Sequence, residues 1–195
     1  MRYHRAVPST VALFGGSFNP PHAAHALLAL YVLETAPVDA LWFAPTYRHA
    51  FGKDLAPFDD RIAMCELAAA PLGSRVAVTR IEQDVFQARG ENRTLYTLEH
   101  LAEAHPELSF RLLVGADILG EAAKWHRWDE VCRRAPLIVV GRGGVEAPPG
   151  ATLTELTMPA VSSTEVRRRI GVGEDASGLV SRAVLGYIDR RGLYR

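Results

Sequence analysis

Five short apolar runs, unbroken but for Arg111, with helical periodicity between them, constrain this 195-residue chain more than any other feature. They occupy residues 11–14, 40–44, 76–78, 110–114 and 137–140. Runs this short, bounded by Gly, Pro or polar residues, suit strands buried on both faces of a parallel sheet. Between them, residues 25–33 carry Leu27, Leu28 and Tyr31, and residues 61–70 carry Ile62, Cys65 and Ala69. Leu95, Leu98, Leu101 and Ala102 mark a third stripe. Val180, Val184, Tyr187 and Ile188 fall at i, i+4, i+7 and i+8, one amphipathic helical face. Strand and helix in alternation predict an α/β fold, a doubly wound and mostly parallel sheet. Such sheets bind ligands outside the carboxyl ends of their strands, where strand order reverses. Residues 141–150, rich in Gly and Pro, read as a surface loop, so residues 1–195 are expected to form a single domain.

Composition narrows the function classes. Hydrophobic residues make up 48% and charged residues 23%, which excludes global disorder. The formal charge is zero, so no nucleic-acid or anionic-membrane partner is expected. No apolar run approaches the ~20 residues that span a bilayer. Residues 1–9 contain two Arg and no apolar stretch of signal-peptide type. Cys65 and Cys132 form no CxxC pair and read as reduced thiols. The expected location is cytoplasmic.

The first motif follows the first apolar run: Gly15-Gly16-Ser17-Phe18-Asn19-Pro20-Pro21-His22-Ala23-Ala24-His25. Paired glycines let the backbone turn and approach a ligand with no Cβ in the way. The helix start that follows offers N–H groups and partial positive charge to a phosphate. His22 and His25, three apart, share a helix face and can donate to oxygens that gain charge in phosphoryl transfer. Taken alone, Gly-Gly is also a plain strand-to-helix turn. His-x-x-His is also half of a metal site, but zinc wants three or four ligands and no third is apparent.

The second motif is Val161-Ser162-Ser163-Thr164-Glu165-Val166-Arg167. Ser162 with Glu165 fits a capping box, which by itself marks only a helix start. The hydroxyl row and the Arg167 guanidinium add an anion-binding device. Neither motif is a Walker A loop, since no Gly-Lys-Ser/Thr occurs.

Together these strings resemble the nucleotidyltransferase superfamily with the His/Thr-x-Gly-His motif, and in particular the bacterial nicotinate mononucleotide adenylyltransferases. The resemblance runs from Val11 to Arg195 and implies a Rossmann-like nucleotidyltransferase fold. It implies ATP binding by Gly15, Gly16, Ser17, Phe18, Gly115, Asp117, Ser162, Ser163 and Thr164. His22, His25 and Arg167 would bind the phosphates and act catalytically. Ala24 stands where the family has Gly. Tyr96, Thr97, Trp125 and His126 match segments that bind nicotinate mononucleotide, with Trp125 as the ring's platform and His126 replacing a Tyr. Taken alone, Trp125 is also an ordinary core or surface aromatic, and Asp117 also a helix N-cap. The segment 46–53 departs from the family's Pro-Pro-His-Lys/Arg. There His49 and Lys53, together with Arg142, are candidates for a phosphate clamp.

The implied reaction transfers AMP from ATP to nicotinate mononucleotide, yielding nicotinate adenine dinucleotide and pyrophosphate. Mg²⁺ is expected with ATP, and no protein-held metal. The alternatives are nicotinamide mononucleotide as acceptor, a sister enzyme acting on phosphopantetheine or transferring cytidylyl, or a nucleotide-binding sensor without catalysis.

Overall fold

In the computed structural model, residues 9–48, 54–141, 147–154, 156 and 159–195 are described. The five apolar runs become strands: β1 Thr10–Gly16, β2 Ala40–Pro45, β3 Val76–Val78, β4 Ser109–Gly115 and β5 Leu137–Val140. A sixth, β6 Thr152–Thr154, lies just past the expected loop. It is too short and polar to show a period of its own, and it is recruited by parallel pairing of Val139 with Leu153. The order is β3-β2-β1-β4-β5-β6, and every pairing is parallel. Strand order therefore reverses between β1 and β4, where Phe14 pairs with Leu113.

Two helix layers explain the unbroken apolar runs. On one face α1 (Ala23–Thr35) and α2 (Phe58–Ala69) cover the sheet. There Ala12, Phe14, Leu41, Phe43 and Ile138 pack against Ala29, Val32, Leu33 and Cys65. On the other face α3 (Ile81–Arg89), α4 (Thr94–Ala104) and α5 (Trp128–Arg134) do the same. Val11, Leu13, Leu112 and Val139 meet Val85, Leu95, Leu98 and Val131. Successive strand residues point to opposite faces, so both sets must be apolar.

A smaller cluster lies outside α2. Met64 packs against Val166 of α6 (Ser163–Gly171) and against Val184 and Ile188 of α7 (Arg182–Arg191). The C-terminal stripe thus forms its helix, although Val180 lies one residue before the Ser181 cap. Helices α3 and α5 had no legible stripe: each is short and buries only one or two apolar residues. No helix among the described residues is long and apolar enough to cross a membrane.

Candidate active site

The first motif leaves the carboxyl end of β1. An added Cβ at Gly15 would meet nothing within 4 Å, so this residue presents bare backbone to open space. At Gly16 an added Cβ would press on the Phe18 ring at 3.0 Å. Neither glycine has a positive φ; the left-handed residue is Phe18, at φ 45°. The expected turn by glycine is therefore made at Phe18, whose ring is held edge-on by Phe14, Phe43 and His25.

His22 caps α1, and its ring stacks on that of His25 with centroids 3.7 Å apart. His25 Nδ1 accepts from the His22 backbone N–H at 3.1 Å. That acceptor role puts the proton of a neutral His25 on Nε2. Burial drives the pKa of His22 down to about 4. Burial, and then the neighbouring His22, drive His25 down to about 3. Both rings are neutral donors at neutral pH. His22 Nδ1 is buried and has no hydrogen-bond partner among the described residues.

The helix start is less open than expected. Ala23 N–H donates to the Leu179 carbonyl at 2.8 Å, and His25 N–H bends back to the His22 carbonyl at 2.9 Å. That leaves fewer α1 amides open to an anion than the sequence suggested. Ala24, which stands where the family has Gly, is buried at 5% exposure.

The second motif folds against the first. Ser162 caps α6 by accepting from Glu165 N–H at 3.2 Å. The Glu165 carboxylate does not complete the box; Arg168 and Arg169 take it at 2.9 and 2.8 Å. Ser163 Oγ donates to the Pro20 carbonyl at 2.8 Å, and Arg167 Nη1 donates to the Asn19 carbonyl at 2.7 Å. Arg167 Nη2 lies 3.4 Å from Thr164 Oγ1. Residues nearly 150 positions apart thus form one polar surface.

The aromatic residues assemble separately. Helix α4 runs back along the sheet into β4, so its first turn lies at the carboxyl-end side. There Tyr96 meets the His126 ring at 5.7 Å. Trp125 is half-buried, edge-on to Trp128 at 5.3 Å. Thr97 is only 1% exposed, and its hydroxyl donates to Glu82 Oε1 at 2.8 Å. Asp117 is exposed in the 3₁₀ segment after β4, which Gly115 rather than Asp117 caps. An added Cβ at Gly115 would come within 2.4 Å of Asp117 Oδ1. His49, Lys53 and Arg142 lie outside the described residues. A cavity of about 580 Å³ opens at the opposite, amino end of the strands, beside Thr10, Phe110 and Arg111. Doubly wound sheets do not use that end for ligands.

Sequence reasoning passed over three polar residues that organise the site. Arg61 is 1% exposed and donates to the carbonyls of Ala56 and Ser17, both at 2.9 Å. Asn19 is 2% exposed. Tyr194 Oη donates to Asn19 Oδ1 at 2.8 Å. Asn19 stands inside the first motif, but nothing in local spacing says that an arginine on α2 turns inward. Among the described residues no group of three His, Cys, Asp or Glu could hold a metal ion.

The cytidylyltransferase-like family model matches residues 13–169. A protein of Anaeromyxobacter dehalogenans strain 2CP-1 named "Probable nicotinate-nucleotide adenylyltransferase" is 52% identical, covering 95% of this chain and 96% of its own. One of the same name from Myxococcus xanthus is 39% identical, covering 94% of each. Among solved structures, the nicotinic acid mononucleotide adenylyltransferase of Plasmodium falciparum, complexed with NaAD, superposes with a TM-score of 0.78. It is 18% identical and covers 95% of this chain and 97% of its own, a likeness of fold.

Proposed function

The chain belongs to the cytidylyltransferase-like family, and from that premise we propose that it transfers the adenylyl group of ATP to nicotinate mononucleotide. The products are nicotinate adenine dinucleotide and pyrophosphate. The observation that carries the reading is the direct bonding of the two phosphate motifs, Ser163 to Pro20 and Arg167 to Asn19. Two anion-handling strings from opposite ends of the chain serve one triphosphate.

The mechanism is in-line displacement. The mononucleotide's 5′-phosphate oxygen attacks the α-phosphorus, the bond to the bridging oxygen breaks, and pyrophosphate leaves with that electron pair. No protein nucleophile is needed, because positioning and charge stabilisation supply most of the catalysis in phosphoryl transfer. His25 donates from Nε2 to an oxygen that gains charge, and His22 shares the task. Arg167, with the hydroxyls of Ser162 and Thr164, holds the β/γ-phosphates. Ser163 serves mainly to lock α6 onto the first motif. Gly15, Gly16, Ser17 and Phe18 give the nucleotide its close approach, and Asp117 past Gly115 meets a ribose.

ATP enters as its Mg²⁺ complex. The neutral imidazoles and the guanidinium suit phosphate oxygens rather than a hard cation, so substrate oxygens and water keep the metal. Trp125 stacks on the pyridine ring, beside Tyr96 and His126. Thr97, with its hydroxyl on Glu82, shapes the pocket from beneath. His49, Lys53 and Arg142 complete the phosphate clamp. The chain acts as one nucleotidyltransferase domain, in the cytoplasm.

Pyrophosphate release with ATP and each acceptor tests the reading. Nicotinate mononucleotide should far outpace nicotinamide mononucleotide and phosphopantetheine, with no turnover from CTP. Silence with every acceptor would leave a nucleotide sensor. Trp125→Ala should raise the KM for the mononucleotide about tenfold and leave that for ATP unchanged.

A further inference from the structure

The next-to-last residue of the chain touches the first motif. Helix α7 ends at Gly192, whose φ of 62° turns the backbone, and Leu193 N–H bonds back to the Ile188 carbonyl at 3.1 Å. Leu193 and Tyr194 then pack against the cluster around Met64, Val166 and Ile188. Tyr194 itself holds a φ of 65°, in the left-handed region that a non-glycine residue enters at a cost. That conformation sends its hydroxyl to Asn19 Oδ1, 2.8 Å away.

Asn19 is a junction. Its Oδ1 accepts from Tyr194 and also from Ala56 N–H at 3.0 Å. Those two donors fill both lone pairs of the amide oxygen and leave one side-chain orientation. Its backbone carbonyl accepts from Arg167 Nη1 at 2.7 Å. Three residues on comes His22. One buried residue, by its side chain and its carbonyl, therefore joins the C-terminal tail, the segment entering α2, and α6.

We propose that Tyr194 is a positioning residue of the phosphate site, fixing through Asn19 both the Arg167 guanidinium and the turn that delivers His22. The inference rests on the adenylyl-transfer reading above. Burial raises the Tyr194 pKa, so the hydroxyl keeps its proton and remains the donor. Arg167, held at Nη1 by the Asn19 carbonyl and at Nη2 beside Thr164 Oγ1, is left with its remaining N–H groups in fixed directions for phosphate oxygens. In-line transfer is sensitive to displacements of this kind, where a misplacement of about 1 Å costs on the order of a hundredfold in rate.

A matched pair of variants tests the proposal. Tyr187 also donates its hydroxyl to a buried oxygen, Asp60 Oδ1 at 2.7 Å, but that oxygen sits on α2 rather than in the first motif. Tyr194→Phe should lower kcat about tenfold and leave the KM for either substrate within about twofold. Tyr187→Phe should keep wild-type kcat while lowering the melting temperature at least as much. Wild-type kcat in Tyr194→Phe, or losses of kcat that track melting temperature in both variants, would overturn it. The wild type on a panel of acceptors tests the reaction itself. If it turns over only another acceptor, the acceptor reading fails and the variants are compared on that substrate. If it turns over none, reading and inference fall together.

Discussion

His22 and His25 stack at 3.7 Å between centroids, an arrangement that two imidazolium rings would oppose. Their depressed pKa values have two consequences. In the free enzyme, kcat/KM should show no ionisation of these rings between about pH 5 and pH 8. Stability follows by linkage. The unfolded chain's histidines titrate near 6.5, the folded ones only at about 4 and about 3. Below pH 6.5 unfolding therefore takes up protons, so the rings' contribution is full above that pH and is lost as pH falls through their folded values. The urea midpoint should drop between pH 7 and pH 4, and His25→Gln should make that drop shallower; an equal drop would mean the ring is not buried neutral. His25→Ala should reduce kcat on the order of a hundredfold or more with the fold intact.

At the scale of elements, the two phosphate motifs are helix starts of unlike construction. Helix α1 spends its first N–H on Leu179 and turns the His25 imidazole back to the His22 N–H, while α6 has an ordinary serine cap. The α6 cap keeps Glu165 N–H satisfied and leaves the first two N–H groups of that helix without intrahelical partners. Ser162→Ala should cost about 1 kcal/mol of stability and raise the KM for ATP several-fold. Thermal unfolding and initial rates check both; a stability loss with unchanged KM would make Ser162 a cap alone. The aromatic patch follows from helix direction, since α4 must run back along the sheet to feed β4 and so opens beside the carboxyl ends. Thr97 and Glu82 brace that opening from inside, with burial raising the Glu82 pKa against the Thr97 bond that lowers it.

At the scale of the molecule, Arg61 ties distant parts together. Its guanidinium, buried without a carboxylate partner among the described residues, holds Ala56 and Ser17 by their carbonyls and reaches the Tyr47 carbonyl at 3.5 Å. Arg61→Ala would leave those carbonyls unmet and should cost about 3 kcal/mol, measured by denaturant unfolding. A loss well below that would show that the carbonyls find other partners. Arg61 also marks where sequence reasoning ends. Unbroken runs such as residues 11–14 and 137–140 determined a parallel sheet, because only burial on both faces requires apolar residues at every position. The strings around His22, His25 and Arg167 carried the family resemblance, because such motifs keep particular donors at fixed local spacing. Strand β6 and helices α3 and α5 were not legible, since each is held by neighbours rather than by its own periodicity. The inward turn of Arg61, the Thr97–Glu82 bond and the reach of Tyr194 to Asn19 were decided only by the tertiary structure. These bonds join residues that are remote in sequence or neutral in pattern, and their partners exist only once the sheet, the helices and the tail have packed.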